Sequence, residues 1–232
     1  MIYVTSDLHG YPLEKFKALL RKAEFSEDDF CFILGDVIDR GPDGVEILKW
    51  LLWQPNIVMV RGNHEEMLLA CSFLFEEITD ESITQLSPEK LRALMHWQRN
   101  GADPTMKALR SCDRETVADI LEYLYDTPYY DTVSVGGRQF LLVHGGLGGF
   151  DPKKSPDEYE PHDLIWTRPL LEDRYFDDVI TVFGHTPTAY YGSEYEGRAI
   201  FTDTWIDIDT GAARGGAPML LRLDDLKEFY AD

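Results

Sequence analysis

The sequence predicts an α/β layered protein, on three observations. Short apolar or β-branched runs recur along the chain, each run meets a polar cluster at its C-terminal end, and amphipathic helical patterns occupy the intervals. Helices packed on buried strands produce this alternation. The first strand, residues 3–5, runs into Ser6-Asp7-Leu8-His9-Gly10. Leu13, Phe16, Leu19, Leu20 and Ala23 then share one helical face, with Lys15, Lys17 and Arg21 elsewhere on the helix. Residues 32–34 form a second strand ending in Gly35-Asp36, followed by a helix with Val45, Leu48, Leu51 and Leu52 on its apolar side. A third strand, 57–60, meets Arg61-Gly62-Asn63-His64.

Residues 65–126 read as a helical insertion, with helices expected at 66–77, 90–99 and 114–125 and turn signals at Ser87-Pro88 and 101–104. Strands resume at 130–135, 139–143, 179–183, 198–201, 205–208 and 218–223, and these are expected to build a second sheet. Residues 148–178 carry Pro152, Pro156, Pro161 and Pro169 with little periodicity, as long functional loops do. With no Gly/Ser/Pro-rich linker, residues 1–232 read as a single domain.

Composition narrows the function. There are 42 acidic against 22 basic residues, a formal charge of -20, which argues against a nucleic-acid partner, since phosphate backbones bind basic faces. No apolar run spans a bilayer, and the start carries neither a basic leader nor a signal-type stretch, so the expectation is a cytoplasmic protein without a membrane partner. The 3 cysteines, Cys31, Cys71 and Cys112, stand at wide spacings and read as reduced thiols. The sequence carries no signal of oligomeric state.

Open α/β sheets place their sites beyond the carboxyl ends of strands, and His9, His64, His144 and His185 all follow expected strands, together with Asp7, Asp36 and Asn63. Oxygen and imidazole donors without thiolate suit Mn, Fe or Zn. Asp7, Asp36 and Asp39 brought together would repel one another unless cations intervened, and the surplus of donors favours two metals sharing a carboxylate. Arg40 and Arg61 accompany the ligands, and a guanidinium fork matches phosphoryl oxygens.

Asp7-x-His9-Gly10, Gly35-Asp36-x-x-Asp39-Arg40-Gly41, Arg61-Gly62-Asn63-His64-Glu65, His144-Gly145-Gly146 and Gly184-His185-Thr186 stand in the order of the five blocks of the calcineurin-like metallophosphoesterases, which the chain resembles. Within them it resembles the phosphoprotein phosphatase branch in its short bacterial and phage form. The resemblance implies a four-layer α/β/β/α sandwich of two mixed sheets. It implies two divalent metal ions, Mn foremost and Fe or Zn as alternatives, with Asp7 and His9 on the first, Asp36 bridging, and Asn63, His144 and His185 on the second. A metal-bridging hydroxide would attack phosphorus, Arg40, Arg61 and Arg168 would hold the phosphate, and His64 would protonate the leaving oxygen with Asp39 orienting it. Pro187 stands where other branches have a further histidine. Trp97 with Asn100-Gly101 resembles a block of bacterial members, although a helical Trp also reads as core. Asp203, Asp207 and Asp209 read as alternation in a strand and its turn.

The expected activity is hydrolysis of phosphomonoesters, phosphoserine or phosphothreonine in proteins first and phosphotyrosine next, so that the partner is a phosphorylated protein or peptide, or a small phosphate ester. The alternatives are symmetrical dinucleoside tetraphosphate hydrolysis, promiscuous phosphoesterase activity and, distantly, a non-catalytic metal-binding scaffold. Asp39 and Arg61 weigh for the phosphatase, because nucleotide hydrolases usually lack them. Residues 151–178, with 9 acids and 4 bases, would form an acidic rim that repels multiply charged substrates.

Overall fold

The computed structural model describes residues 1–75 and 87–231. Among the described residues, ten strands form two mixed five-stranded sheets. In the first, β1 (Ile2–Thr5), β2 (Phe30–Ile33) and β3 (Ile57–Met59) run parallel, and β9 (Met219–Arg222) and β10 (Lys227–Tyr230) extend it antiparallel from β1. In the second, β5 (Arg138–Val143), β6 (Val179–Phe183) and β8 (Trp205–Asp207) run parallel, flanked by antiparallel β4 (Tyr130–Val135) and β7 (Ile200–Phe201).

Alternation along the strands sorts side chains into three cores, as a pleat with both faces covered requires. Val4, Phe32, Leu34 and Val60 from the first sheet meet Phe140, Leu142, Val182 and Ile206 from the second in a shared middle layer. Tyr3, Cys31, Ile33, Ile57 and Met59 point the other way, against the helices. Those are α1 (Leu13–Lys22), α2 (Gly44–Leu51), α3 (Asn63–Ala70), α4 (Pro88–Arg99), α5 (Asp103–Ser111) and α6 (Arg114–Asp126). Beneath the second sheet, Leu141, Val143, Phe183 and Trp205 pack on Tyr159, Leu164 and Tyr175, so the outer layer there is the short α7 (Pro161–Ile165), turns and coil.

The layered α/β class and both mixed sheets agree with the sequence reading, but Lys227–Tyr230 adds an unexpected edge strand to the first sheet, and three further differences concern expected segments. Met219–Arg222 pairs with β1 and completes the first sheet, not the second, because its alternate residues Met219 and Leu221 fill the middle layer. Asp103–Ser111 is a helix where turn residues stand at its start; proline is compatible with the first helical turn, since its missing N–H has no partner to lose there. The helix expected at 66–77 stops at Ala70, followed by a 3-10 turn at Ser72–Leu74, and residues 76 and 77 lie outside the described residues. Helix starts follow capping chemistry: Ser87 Oγ accepts from Lys90 N and Asp113 Oδ1 from Thr116 N. Among the described residues no helix is long and apolar enough to cross a membrane.

Phe140, fully buried, joins the two sheets. Phe140→Ala should lower stability by about 3–5 kcal/mol through the cavity it leaves, read from denaturant midpoints; an unchanged midpoint would mean that the middle layer collapses freely around the loss.

Candidate metal centre

All five parallel strands that feed the site end in its residues. Asp7 and His9 follow β1, Asp36 and Asp39 follow β2, Asn63 and His64 open α3 after β3, His144 follows β5 and His185 follows β6. The loops must turn sharply, and they do so in the left-handed region with non-glycine residues: Asp7 (φ 51), His9 (φ 44), Asp36 (φ 55), Asp39 (φ 69), Arg40 (φ 66) and His185 (φ 65). Each such residue stores strain, which surrounding bonds must hold. Asp7 N donates to Gly35 O, His9 N to Asp36 O and Gly10 N to Val37 O, zipping the first loop to the second. Glu65, buried at the start of α3, accepts from the N–H groups of Asp36, Val37, Ile38 and Gly62.

Asp36 sits at the centre. Its Oδ2 lies 3.5 Å from His9 Nε2 and 3.8 Å from His64 Nε2, and its Oδ1 lies 3.4 Å from His144 Nε2. Asp7 Oδ1 lies 3.7 Å from His9 Nε2, and Asn63 Oδ1 2.9 Å from His144 Nε2. Two groups of ligand atoms therefore share one carboxylate: His9, Asp36 and His64, and Asp36, His144 and His185.

The donor set fits divalent cations. His9 Nδ1 and His144 Nδ1 face the carbonyls of Ile38 (3.0 Å) and Leu34 (2.6 Å), so each ring donates outward and turns Nε2 toward Asp36. Asp7 Oδ1 and His185 Nε2 are buried with no hydrogen-bond partner, as atoms awaiting a cation would be. Electrostatics agree. Burial disfavours ionisation of Asp36, yet the His144 and His64 imidazoles hold its carboxyl well below the usual range. Burial also disfavours a charged His144, but the Asp36 carboxylate overrides it and raises that pKa to about 10. Burial and the neighbouring His144 push His185 down to about 3. Burial disfavours a charged His9 as well, but Asp7 and Asp36 raise its pKa, so His9 and His144 both answer the negative charge of the cluster.

His64 is held differently. Its Nδ1 lies 2.6 Å from Asp39 Oδ2, and Arg40 Nη2 lies 3.1 Å from its Nε2. Trp97 Nε1 (2.8 Å) and Thr105 Oγ1 (2.6 Å) also donate to Asp39, which is fully buried. Trp97 is both core and clamp. The small cavity at the cluster, about 60 Å³, is lined by His9, Asp36 and Asn63, by Arg40 and Arg168, and by Arg214. Arg168 also donates to His185 O (3.0 Å). A hollow of about 420 Å³ between Thr132 and Pro156 contains no such ligand group.

Arg61 does not reach this cavity. Its guanidinium donates to Thr127 Oγ1, Glu66 Oε2, Tyr129 OH and the carbonyls of Tyr125 and Thr127, and is sandwiched against the Tyr129 ring. All its donor directions serve to fasten α3 to the end of α6. Among the described residues none of the acids of the 151–178 stretch lines the cavity, to which that stretch contributes Arg168 and Trp166 instead of the expected acidic rim. Sequence reasoning passed over Glu65 as a loop clasp, and Arg214 and Tyr190, which hydrogen-bond at the cavity mouth. Only the Glu within Asn63-His64-Glu65 gave a signal. Asp207 and Asp209 do fasten a turn, accepting from Asp209 N and Gly211 N, but they are also buried: desolvation and Asp209 push Asp207 well up, and desolvation and Asp7 push Asp209 to about 8.

Glu65→Gln replaces an acceptor oxygen by an NH2 that faces backbone donors. It should cost about 3 kcal/mol, since bonds to a charged acceptor are the stronger ones, and reduce metal uptake in parallel; chemical denaturation and metal analysis that both match wild type would remove its role as the clasp.

The calcineurin-like phosphoesterase family matches residues 1–209. The symmetrical bis(5'-nucleosyl)-tetraphosphatase of Chromobacterium violaceum is 36% identical over 267 aligned residues, covering 98% of this chain and 94% of the relative. The enzyme of the same name from Buchnera aphidicola subsp. Schizaphis graminum is 34% identical over 42% of this chain and 37% of its own length. A solved structure described as a candidate diadenosine tetraphosphatase superposes with a TM-score of 0.65 at 19% identity, covering 99% of this chain and 92% of the other. A yeast (Saccharomyces cerevisiae) protein serine/threonine phosphatase superposes at 0.57 with 15% identity, covering 100% and 80%, which is a likeness of fold. These relatives overturn the expected phosphoprotein substrate. The two residues that had favoured it do not discriminate: Arg61 is occupied within the protein, and Asp39 is clamped by Trp97 and Thr105 whatever the leaving group. By its match across residues 1–209 and its near full-length relative, the chain belongs to the calcineurin-like phosphoesterases.

Proposed function

We propose that the chain splits dinucleoside tetraphosphates symmetrically into two nucleoside diphosphates. The near full-length similarity to a symmetrical tetraphosphatase carries this reading. The cavity supports it: three arginines, Arg40, Arg168 and Arg214, face the Asp36 cluster, more fixed cations than one phosphoryl group needs and suited to a polyphosphate chain.

Asp7 and His9 would hold one divalent cation and Asn63, His144 and His185 the other, with Asp36 between them; Mn is the first candidate, Fe and Zn the alternatives. When bound, the pair supplies Lewis acidity and a water acidified toward neutrality. The protein's own groups do the rest. Arg40 and Arg168 bind non-bridging phosphoryl oxygens and fix the chain for in-line displacement. A phosphoryl oxygen that draws Arg40 away from His64 Nε2 frees that nitrogen to carry a proton to the leaving oxygen. Asp39, opposite on Nδ1, fixes the plane and orientation of the ring. His64 stands near enough to Asp36 to count as a ligand, but both its ring nitrogens already have partners, so we assign it proton transfer.

Diadenosine tetraphosphate incubated with the Mn-supplemented enzyme should yield ADP alone by chromatography. ATP with AMP would overturn the symmetrical reading, and an inert nucleotide beside a rapidly cleaved simple phosphate ester would overturn the substrate. Chelation should abolish turnover and Mn should restore it, with about two ions bound per chain in wild type and fewer in Asp36→Asn; turnover that survives exhaustive chelation would refute the metal requirement. His64→Gln should slow cleavage of an alkyl phosphate by about 10²–10⁴. The loss on the tetraphosphate should be smaller, because a departing nucleoside diphosphate is a far weaker base; equal losses would remove the proton-donor assignment.

A further inference from the structure

Beside the metal centre lies a second hollow, of about 340 Å³, walled by Met67, His96, His162 and Trp166, with Glu66 at its edge and Asn63 at its inner end. Asn63 and Trp166 also line the cavity at the metal centre, so the two spaces adjoin. Trp166 is the partition. Its ring meets His185 edge-on, 5.9 Å between centroids at 87°, and His162 lies nearly parallel to it (6.5 Å, 25°), with His96 tilted nearby (5.6 Å, 50°).

The chemistry of the two spaces divides. Arg40, Arg168 and Arg214 face the metal-side cavity, whereas among the described residues no lysine or arginine lines the hollow and its one charged side chain is Glu66. A phosphate has nothing to bind there. A flat neutral heterocycle does: aromatic and imidazole faces, a thioether, and an acceptor carboxylate. Glu66 engages Arg61 and Tyr129 through Oε2, and Oε1 makes no hydrogen bond among the described residues. That oxygen suits an exocyclic amine. Symmetrical cleavage also requires one base within a nucleoside diphosphate's length of the attacked phosphorus, on a path that leaves the arginines to the phosphates.

We propose that this hollow seats a purine base of the substrate, with Trp166, His96 and His162 as its stacking surface and Glu66 as its edge acceptor. This rests on the tetraphosphatase reading and adds the residues that select the nucleoside.

The test compares ADP with pyrophosphate, which has the same two phosphates and no base, by calorimetric titration of the metal-loaded protein. ADP should bind more tightly, and in a His96→Ala, His162→Ala double variant, both changes on exposed side chains, the preference should fall about tenfold, the size of one lost base stack. Trp166→Ala should do the same, and Trp166→Phe should restore most of the preference. A preference for ADP that stays unchanged in these variants overturns the base seat even when wild type releases two ADP from diadenosine tetraphosphate, as does a wild type that binds ADP no better than pyrophosphate. A wild type that fails to split diadenosine tetraphosphate, but whose ADP preference falls in the variants, overturns the substrate reading and leaves the base seat supported.

Discussion

A buried carboxylate shared between two sets of donors is the constraint on which the rest of this structure depends. Asp36 stands 2% exposed at the end of β2, one oxygen toward His9 and the other toward His144. To bring these groups together, six non-glycine residues adopt left-handed backbone, each at a cost of about 1–3 kcal/mol. Glu65, accepting four backbone N–H groups, and the ladder from Asp7, His9 and Gly10 to the second loop are what offset that strain. Even the glycines are fitted to the carboxylates: a Cβ on Gly62 would overlap Asp36 Oδ1, and one on Gly184 would overlap Asp7 Oδ2.

The helices between β3 and β4 are part of the same device. α4 supplies Trp97 and α5 supplies Thr105, both donors to Asp39; the turn between these helices supplies Gly101 O, which accepts from Arg40 N. The segment thereby fixes two consecutive residues of the β2 loop, one aligned with His64 and the other facing the cavity at the candidate metal centre. Asp39 accepts three side-chain donors with no exposure to water, so its orientation does not depend on what occupies the site. Arg61 does comparable work on the other side, joining α3 to α6, which explains an arginine in that block that does not line the cavity at the candidate metal centre.

What the sequence made legible follows from which signals are local. Strand positions and the residues gathered at the candidate metal centre were readable because buried parallel strands are short apolar runs and their ends are marked by Asp, Asn and His. The partner of a strand is not local: residues 219–222 join the first sheet through side-chain alternation, visible only once both sheets exist. The helix at 103–111 was hidden by Asp103-Pro104, which read alike as a turn and as a first helical turn. Arg61 and Arg214 show the same limit for the site. One lies within a family block and points inward, the other lies outside every block, after β8, and reaches the cavity. Residue type was legible, whereas direction is set by packing.

Net charge is subject to the same limit. A chain of charge -20 seems a poor host for a tetraphosphate, but electrostatics at a site depends on the groups that face it. Many acids of the 151–178 stretch serve their own turns: Asp151 accepts from Lys153 N, Glu158 from Ser155 N, and Asp173 from Leu170 N, while Asp177 pairs with Arg174. Of the acids nearest the cluster, Asp7 and Asp36 belong to the candidate ligand set, Asp39 and Glu65 are taken up by His64 and by backbone N–H groups, and Asp207 and Asp209 are pushed toward the protonated form by burial and by neighbouring carboxylates. Arg40, Arg168 and Arg214 remain as the charged groups that face the cavity beyond the ligands. The excess negative charge therefore sets the background field without setting the sign of the cavity, whose lining beyond the candidate ligands is arginine on one side and the uncharged ring of Trp166 on the other.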